Sequence, residues 1–351
     1  MSFTIKHTKT AKGAAILLLL YFHIFIGYGD YHFNLAQIAH CCVWIFVFLS
    51  GYGLTASFSK ACSSLKKLPA WFFRRVWSLE TFFWPHYLIG LGILYLYLHR
   101  TVHSQYGNIW RAVLDFFCLS DIFGQTHIFA VWWYMGLSLM VVLFVPLIVK
   151  VTDKIGYFII PLSYLLILAV PDLIVDGGFI GPYQGYYLAA VLGVVSSRKG
   201  LLNRYVDYIE KAPRLYVTGL NLAFIVLGFS LGLFISGIES DLLVSLYVPQ
   251  LLKTAVAVLT VLLSITLYKI RFVSSALVFL GELSDDMFIL HVVLKMVLSG
   301  IVYAVDIPFM IYFTLLALSI GSALILKAIK KLVCYDKLVD KVSSLTEVKN
   351  G

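Results

Sequence analysis

Apolar residues run in stretches of about 16 to 25 from one end of the chain to the other, each long enough to cross a bilayer as a helix. Short polar connections separate them. The stretches predict spans at 12–29, 38–58, 79–98, 131–150, 155–170, 179–196, 215–237, 250–268, 286–304 and 308–326. The expected fold is therefore an all-α polytopic membrane protein, a bundle of about ten transmembrane helices, because a helix satisfies its own backbone groups in lipid. An even number of spans leaves both termini on one side. One connection, 99–130, is longer than its neighbours. Within it Trp110, Val113, Leu114 and Phe117 recur at helical spacing around Arg111 and Asp115, which predicts an interfacial or re-entrant helix lying over whatever the bundle encloses.

Composition agrees with this reading. Of 351 residues, 61% are apolar and 13% charged, and the mean hydropathy is +0.91; an ordinary soluble domain is about 25% charged. A soluble globular enzyme is excluded. The net charge of +9 suggests a nucleic-acid partner only until the charges are placed: 23 of the 27 basic residues fall in alternate connections and at the two termini. That asymmetry predicts cytoplasmic termini by the positive-inside rule. The opposite connections carry Asp30, Asp115, Asp121, Asp172, Asp176, Glu239, Asp241 and Asp306. Residues 1–330 thus form one membrane domain and 331–351 a basic cytoplasmic tail. Nucleic acid is not an expected partner; the lipid bilayer is. Cys41, Cys42, Cys62, Cys118 and Cys334 are odd in number and lack CxxC spacing, so neither a disulfide framework nor a thiolate metal site is indicated, and no metal is expected.

Ionisable side chains inside spans are costly and mark function by default. His23 follows Lys12 by eleven residues, which is about 20° from a whole number of turns and a rise of about 16 Å. The two share a stripe, with Lys12 at the basic boundary and His23 near or beyond the midplane. Ser284, His291 and Lys295 lie within about 60° of one another on a late helix. With that span beginning at 286, His291 would be shallow, about 8 Å in, and Asp285 and Asp286 would cap the helix. His86 reads as a bundle histidine and a weaker site candidate. His32, His99, His103 and His127 read as solvent-side, with His127 notable for preceding Trp132 and Trp133.

The Lys12 to His23 stripe followed by Phe46-Val47-Phe48-Leu49-Ser50-Gly51-Tyr52 resembles the acyltransferase-3 family of integral-membrane acyltransferases. Phe72-Phe73-Arg74-Arg75 before Trp84-Pro85-His86-Tyr87 is similar to that family's arginine-rich stretch. Trp133-Tyr134-Met135 resembles its tryptophan-led helix, and Leu280-Gly281-Glu282-Leu283-Ser284 to His291 its late serine-to-histidine motif. The order covers residues 8–330. The sequence departs from the family pattern at four positions: Lys12 where arginine is usual, Ser78 where a further arginine is common, Asp285 where an aromatic is usual, and Val293 where a proline often follows the late histidine.

The resemblance implies transfer of an acyl group, usually acetyl from acetyl-CoA, to a hydroxyl of a cell-surface polysaccharide or its lipid-linked precursor, at a bacterial plasma membrane. Acetyl-CoA would be a donor substrate and no cofactor would be permanently bound. Lys12, Arg74 and Arg75 at the cytoplasmic mouth would meet the CoA phosphates. His23 would take the proton of the acceptor hydroxyl or carry the acyl group itself, since imidazole is neutral near physiological pH. Lys295 is left for a buried partner, a donor phosphate or an oxyanion. Two other readings use the same polar groups: a multispan transporter or flippase for a glycolipid or small organic acid, and a glycan polymerase. The polymerase would be expected to carry a larger outer loop than 99–130.

Overall fold

The computed structural model describes residues 2–25, 36, 38–62, 65–125, 127–169, 181–237 and 242–345. Asp30, His32, Asp172, Asp176, Glu239, Asp241 and Lys349 lie outside the described residues. The helices are α1 (Ile5–Phe25), α2 (Cys42–Ala61), α3 (Leu68–Leu96), α4 (Val102–Tyr106), α5 (Ile109–Phe116), α6 (Trp133–Ile155), α7 (Ile159–Ala169), α8 (Tyr187–Arg198), α9 (Leu201–Lys211), α10 (Arg214–Gly237), α11 (Leu242–Leu267), α12 (Arg271–Val297), α13 (Ser299–Val302), α14 (Pro308–Leu332) and α15 (Tyr335–Leu345). No strand occurs among the described residues. Every expected span overlaps a helix. Five stretches are long and apolar enough by themselves to cross a membrane: Cys42–Ala61, Ala130–Leu166, Arg214–Ile235, Val248–Leu267 and Pro308–Leu332. The protein is a helical, multipass membrane protein.

Helix α1 is the axis of the bundle, packed against α2, α11, α12 and α14. Its closest partner is α12, and the approach is set by two glycines. A Cβ on Gly13 would stand 2.0 Å from the Leu277 carbonyl oxygen, and one on Gly281 would stand 1.8 Å from that of Lys9. Without side chains there, backbone meets backbone, as small residues permit between helices in lipid.

The late span is longer than the sequence suggests. Helix α12 begins at Arg271 and runs unbroken through Glu282, Asp285 and Asp286, so these acids are not caps. Each has a cation from another helix: Lys9 Nζ lies 2.7 Å from Glu282, Lys12 Nζ 2.8 Å from Asp285 and Lys330 Nζ 3.3 Å from Asp286. His291 then sits about 30 Å from the helix start, not 8 Å.

The 99–130 connection folds back along α3. The Tyr87 hydroxyl donates to the Ala112 carbonyl at 2.9 Å, Trp84 stacks on Phe116, and the Cys118 thiol lies 3.9 Å from Glu80, which is about 24 Å along α3 from Leu96. This is the re-entrant form, and the fold decides which face turns inward. Trp110 is 65% and Phe117 42% exposed, while Ala112, Leu114 and Asp115 are buried. In a membrane protein the outside is apolar too, so the large hydrophobics face outward and the carboxylate turns in to its hydrogen bonds.

At the other end, α15 docks under α3, where the Tyr335 hydroxyl donates to the Thr81 carbonyl at 2.8 Å.

Candidate active site

Two cavities open toward opposite ends of the bundle. The one at the basic end, about 410 Å³, lies between α1, α2, α3, α6 and α12 and is lined by Lys12, Ser50, Arg75, Tyr134, Asp285 and Phe288 among others. Lys12 does not present a free charge there, because its ammonium donates to both Asp285 oxygens at 2.9 and 2.8 Å. Two of the four departures from the motif pattern, Lys12 and Asp285, are therefore one ion pair. Arg75 donates to the Ser57 hydroxyl, which also accepts from Trp71 Nε1. Its Nε is buried with no partner among the described residues, a donor aimed at something absent from the fold itself. Arg74 is exposed and does not line the cavity.

The second cavity, about 480 Å³, is lined by His23, Val292, Lys295, Trp133 and Tyr303. It adjoins a third, about 620 Å³, through Ala130 and Trp133, where Asp121, Gln125, His127 and Tyr186 face the space. Phe46, Tyr134 and Phe288 separate the basic cavity from these two: Phe288 meets Tyr134 at 4.3 Å and Phe46 edge-on at 5.4 Å between ring centroids.

At this aromatic layer the two histidines come together. The His23 and His291 rings are 4.6 Å apart, inclined at 54°. His291 Nδ1 lies 2.8 Å from the Phe288 carbonyl, and since a carbonyl oxygen only accepts, Nδ1 carries the proton. That leaves the lone pair on Nε2, which is buried and without a hydrogen-bond partner among the described residues. Lys295 donates to the His23 carbonyl at 2.8 Å. That carbonyl lies in the last described turn of α1, so the bond ties this turn to α12.

The structure thus brings His23, His291, Lys295 and Trp133 to one place. It leaves Ser284 out: fully buried, it donates to the Gly281 carbonyl of its own helix. His86 is a bundle histidine, with Nδ1 on the Phe82 carbonyl and Nε2 3.0 Å from Asp286.

The family model described as an acyltransferase domain, Acyl_transf_3, matches residues 9–328. The chain belongs to the acyltransferase-3 family. It is therefore a membrane acyltransferase, and the match takes in every helix that lines the three cavities. No curated protein and no solved structure matches the chain.

Sequence reasoning passed over several parts of this acyltransferase site. His40 stacks on Phe22 at 4.4 Å and takes Lys253 Nζ at 3.2 Å, beside His23 on the helix-rich flank. Lys253, an ionisable residue inside a span, was the available signal. Tyr186, Tyr303 and Phe288 gave none, because an aromatic in an apolar run looks like any other.

His127 is not solvent-side. It is clamped in the re-entrant segment with Nδ1 2.5 Å from Asp115 and Nε2 2.8 Å from Asp121, and the Tyr106 hydroxyl holds the second Asp115 oxygen. Burial by itself would lower the His127 pKa, but hydrogen bonds to the two carboxylates outweigh it and raise the value from 6.5 to about 9. Below 6.5 the ring is charged in folded and unfolded chains alike and the clamp contributes in full; as pH rises through about 9 the folded ring loses its proton and the contribution goes. Thermal unfolding of the wild type and His127→Gln should therefore differ at pH 6 and converge toward pH 10, on the order of the window set by that shift. A gap independent of pH would show the clamp to be packing alone.

Proposed function

We propose that this acyltransferase takes an acyl group, acetyl in the first instance, from acyl-CoA at the basic end and gives it to a sugar hydroxyl of a surface polysaccharide or lipid-linked precursor at the other. The observation that carries the reading is that His23 lines a cavity other than the basic one and stands in ring contact with His291, whose ring neighbour Phe288 lines the basic cavity. The basic end is cytoplasmic in this proposal, with about ten spans and both termini inside, as the charge bias argues. The membrane is the plasma membrane of a bacterium.

The donor argument is electrostatic. A cavity of about 410 Å³ suits an acyl-pantetheine arm rather than a whole coenzyme, so the phosphates stay at the rim with Arg74 and with Arg75, whose Nε has no partner among the described residues. Lys12, already neutralised by Asp285, orders α1 on α12 more than it binds phosphate. The acceptor argument is shape and chemistry. Trp133 and Tyr186, 5.4 Å apart and inclined at 31°, offer apolar faces for a sugar ring, with Asp121 and Gln125 as polar contacts. His23 receives the hydroxyl proton, and Lys295 holds the end of the helix that carries it.

The test is mass spectrometry of surface glycans from cells with and without the gene. A mass difference of one acyl group per repeat is expected, and it would identify the acyl group. Unchanged acylation with altered glycan amount or chain length would refute the proposal in favour of transport or polymerisation.

A further inference from the structure

The separation of the two cavities poses a problem that a single base does not solve. In this conformation an acyl thioester in the basic cavity and a hydroxyl in the opposite one are divided by Phe46, Tyr134 and Phe288. Direct attack needs the reacting atoms about 3 to 3.5 Å apart. Something at the layer must carry the acyl group across, or the layer must open wide enough for the two substrates to touch.

We infer that His291 is the carrier: its Nε2 takes the acyl group from the thioester as an acyl-imidazole and presents it to the acceptor, while His23 serves as the base. The inference rests on the acyl-CoA reading above. Three observations lead to it. His291 is fully buried, yet Nε2 has no hydrogen-bond partner among the described residues, and a buried nitrogen left unpaired in an apolar core is a liability unless its lone pair is used. Nδ1 is fixed on the Phe288 carbonyl, which orients the ring and keeps the free lone pair on Nε2, the arrangement a nucleophilic imidazole requires. Finally, the ring sits at the junction itself, one turn beyond Phe288, which lines the basic cavity, and one residue before Val292, which lines the opposite one. The Phe288 ring, which lines the basic cavity, stands edge-on to His291 at 6.2 Å. His23, in contrast, faces the acceptor cavity and is placed to take a proton there.

The chemistry balances. Nε2 attacks the thioester carbonyl, the C–S bond breaks and CoA leaves as thiolate, giving an Nε2-acyl imidazolium that retains the Nδ1 proton. The acceptor oxygen then attacks the acyl carbon as His23 takes its proton, and the C–N bond breaks to return neutral His291. His23 finally yields that proton, which matches the one the thiolate requires to leave as free CoA.

The experiment is an acceptor-free burst on the purified full-length protein, with acetyl-CoA and succinyl-CoA tried separately, reading free thiol together with intact mass and peptide mapping of the quenched wild type. Release of about one thiol per protein is expected, with the acyl group on the peptide that holds His291. His23→Gln should keep the burst and lose acylation of glycan in cells, whereas His291→Gln should lose the burst and cut acylation on the order of a thousandfold. The wild-type mapping needs no variant, so a misfolded His291→Gln leaves the test intact. A burst that needs His23, an acyl group mapped to another residue, or a His291→Gln protein that still acylates glycan overturns the inference. Wild type that acylates glycan in cells without a burst overturns it and leaves the proposed function standing; wild type that does neither removes both.

Discussion

Replacement of His23 by alanine is expected to lower acyl transfer about 100- to 10,000-fold, the usual contribution of a positioned general base, with membrane insertion and thermal unfolding near wild type. Two features separate the effects. The His23 side chain lines a cavity, so its removal enlarges existing space instead of opening a void in a close-packed core. The contact that ties the end of α1 to α12 runs from Lys295 to the His23 backbone carbonyl, which alanine retains. Glycan acylation by variant and wild type at matched membrane protein levels is the measurement. Activity within a few-fold of wild type would remove His23 from the chemistry and leave its ring as packing against His291.

Gly281→Ala is expected to lose stability at or above the upper end of the roughly 1 to 3 kcal/mol typical of overpacking. The added Cβ would stand 1.8 Å from the Lys9 carbonyl oxygen and 2.5 Å from its carbon. A flexible side chain could turn aside, but backbone inside a helix cannot, so α1 must move off α12. Activity should fall with stability, since α1 carries Lys12 and His23 while α12 carries Asp285, His291 and Lys295. Gly228→Ala is the control, because nothing lies within 4 Å of a Cβ there; it should be neutral or stabilise its helix by up to about 1 kcal/mol. Thermal unfolding of both variants in one detergent decides the matter, and a Gly281→Ala protein as stable as Gly228→Ala would mean that the two helices are not held at this distance.

These two predictions draw on different sources. His23 stood out from sequence because histidine inside an apolar run is expensive and its spacing from Lys12 is a geometric fact of any helix. Gly281 enters the sequence reading only as a member of the late motif, with nothing to mark it as a close approach; a close approach belongs to two helices at once. The same division explains the misreading of α12. Glu282, Asp285 and Asp286 looked like a connection because acids are unfavourable in lipid, and only the positions of Lys9, Lys12 and Lys330 show how they are accommodated. The re-entrant segment was read as amphipathic with neither face assigned to the interior, because periodicity reports that a helix has two faces without saying which solvent each one meets.

What the sequence by itself determined is the solvent, the helical class, the family motifs and the stripe bearing His23, all of which follow from local rules: run length, charge placement and 3.6-residue spacing. The tertiary structure decided which of the candidates meet. It set His291 and Lys295 against His23, turned Lys12 to Asp285, excluded Ser284, and divided the interior into cavities on either side of an aromatic layer. Those outcomes depend on how helices distant in sequence pack, and contacts between helices leave no period along either one.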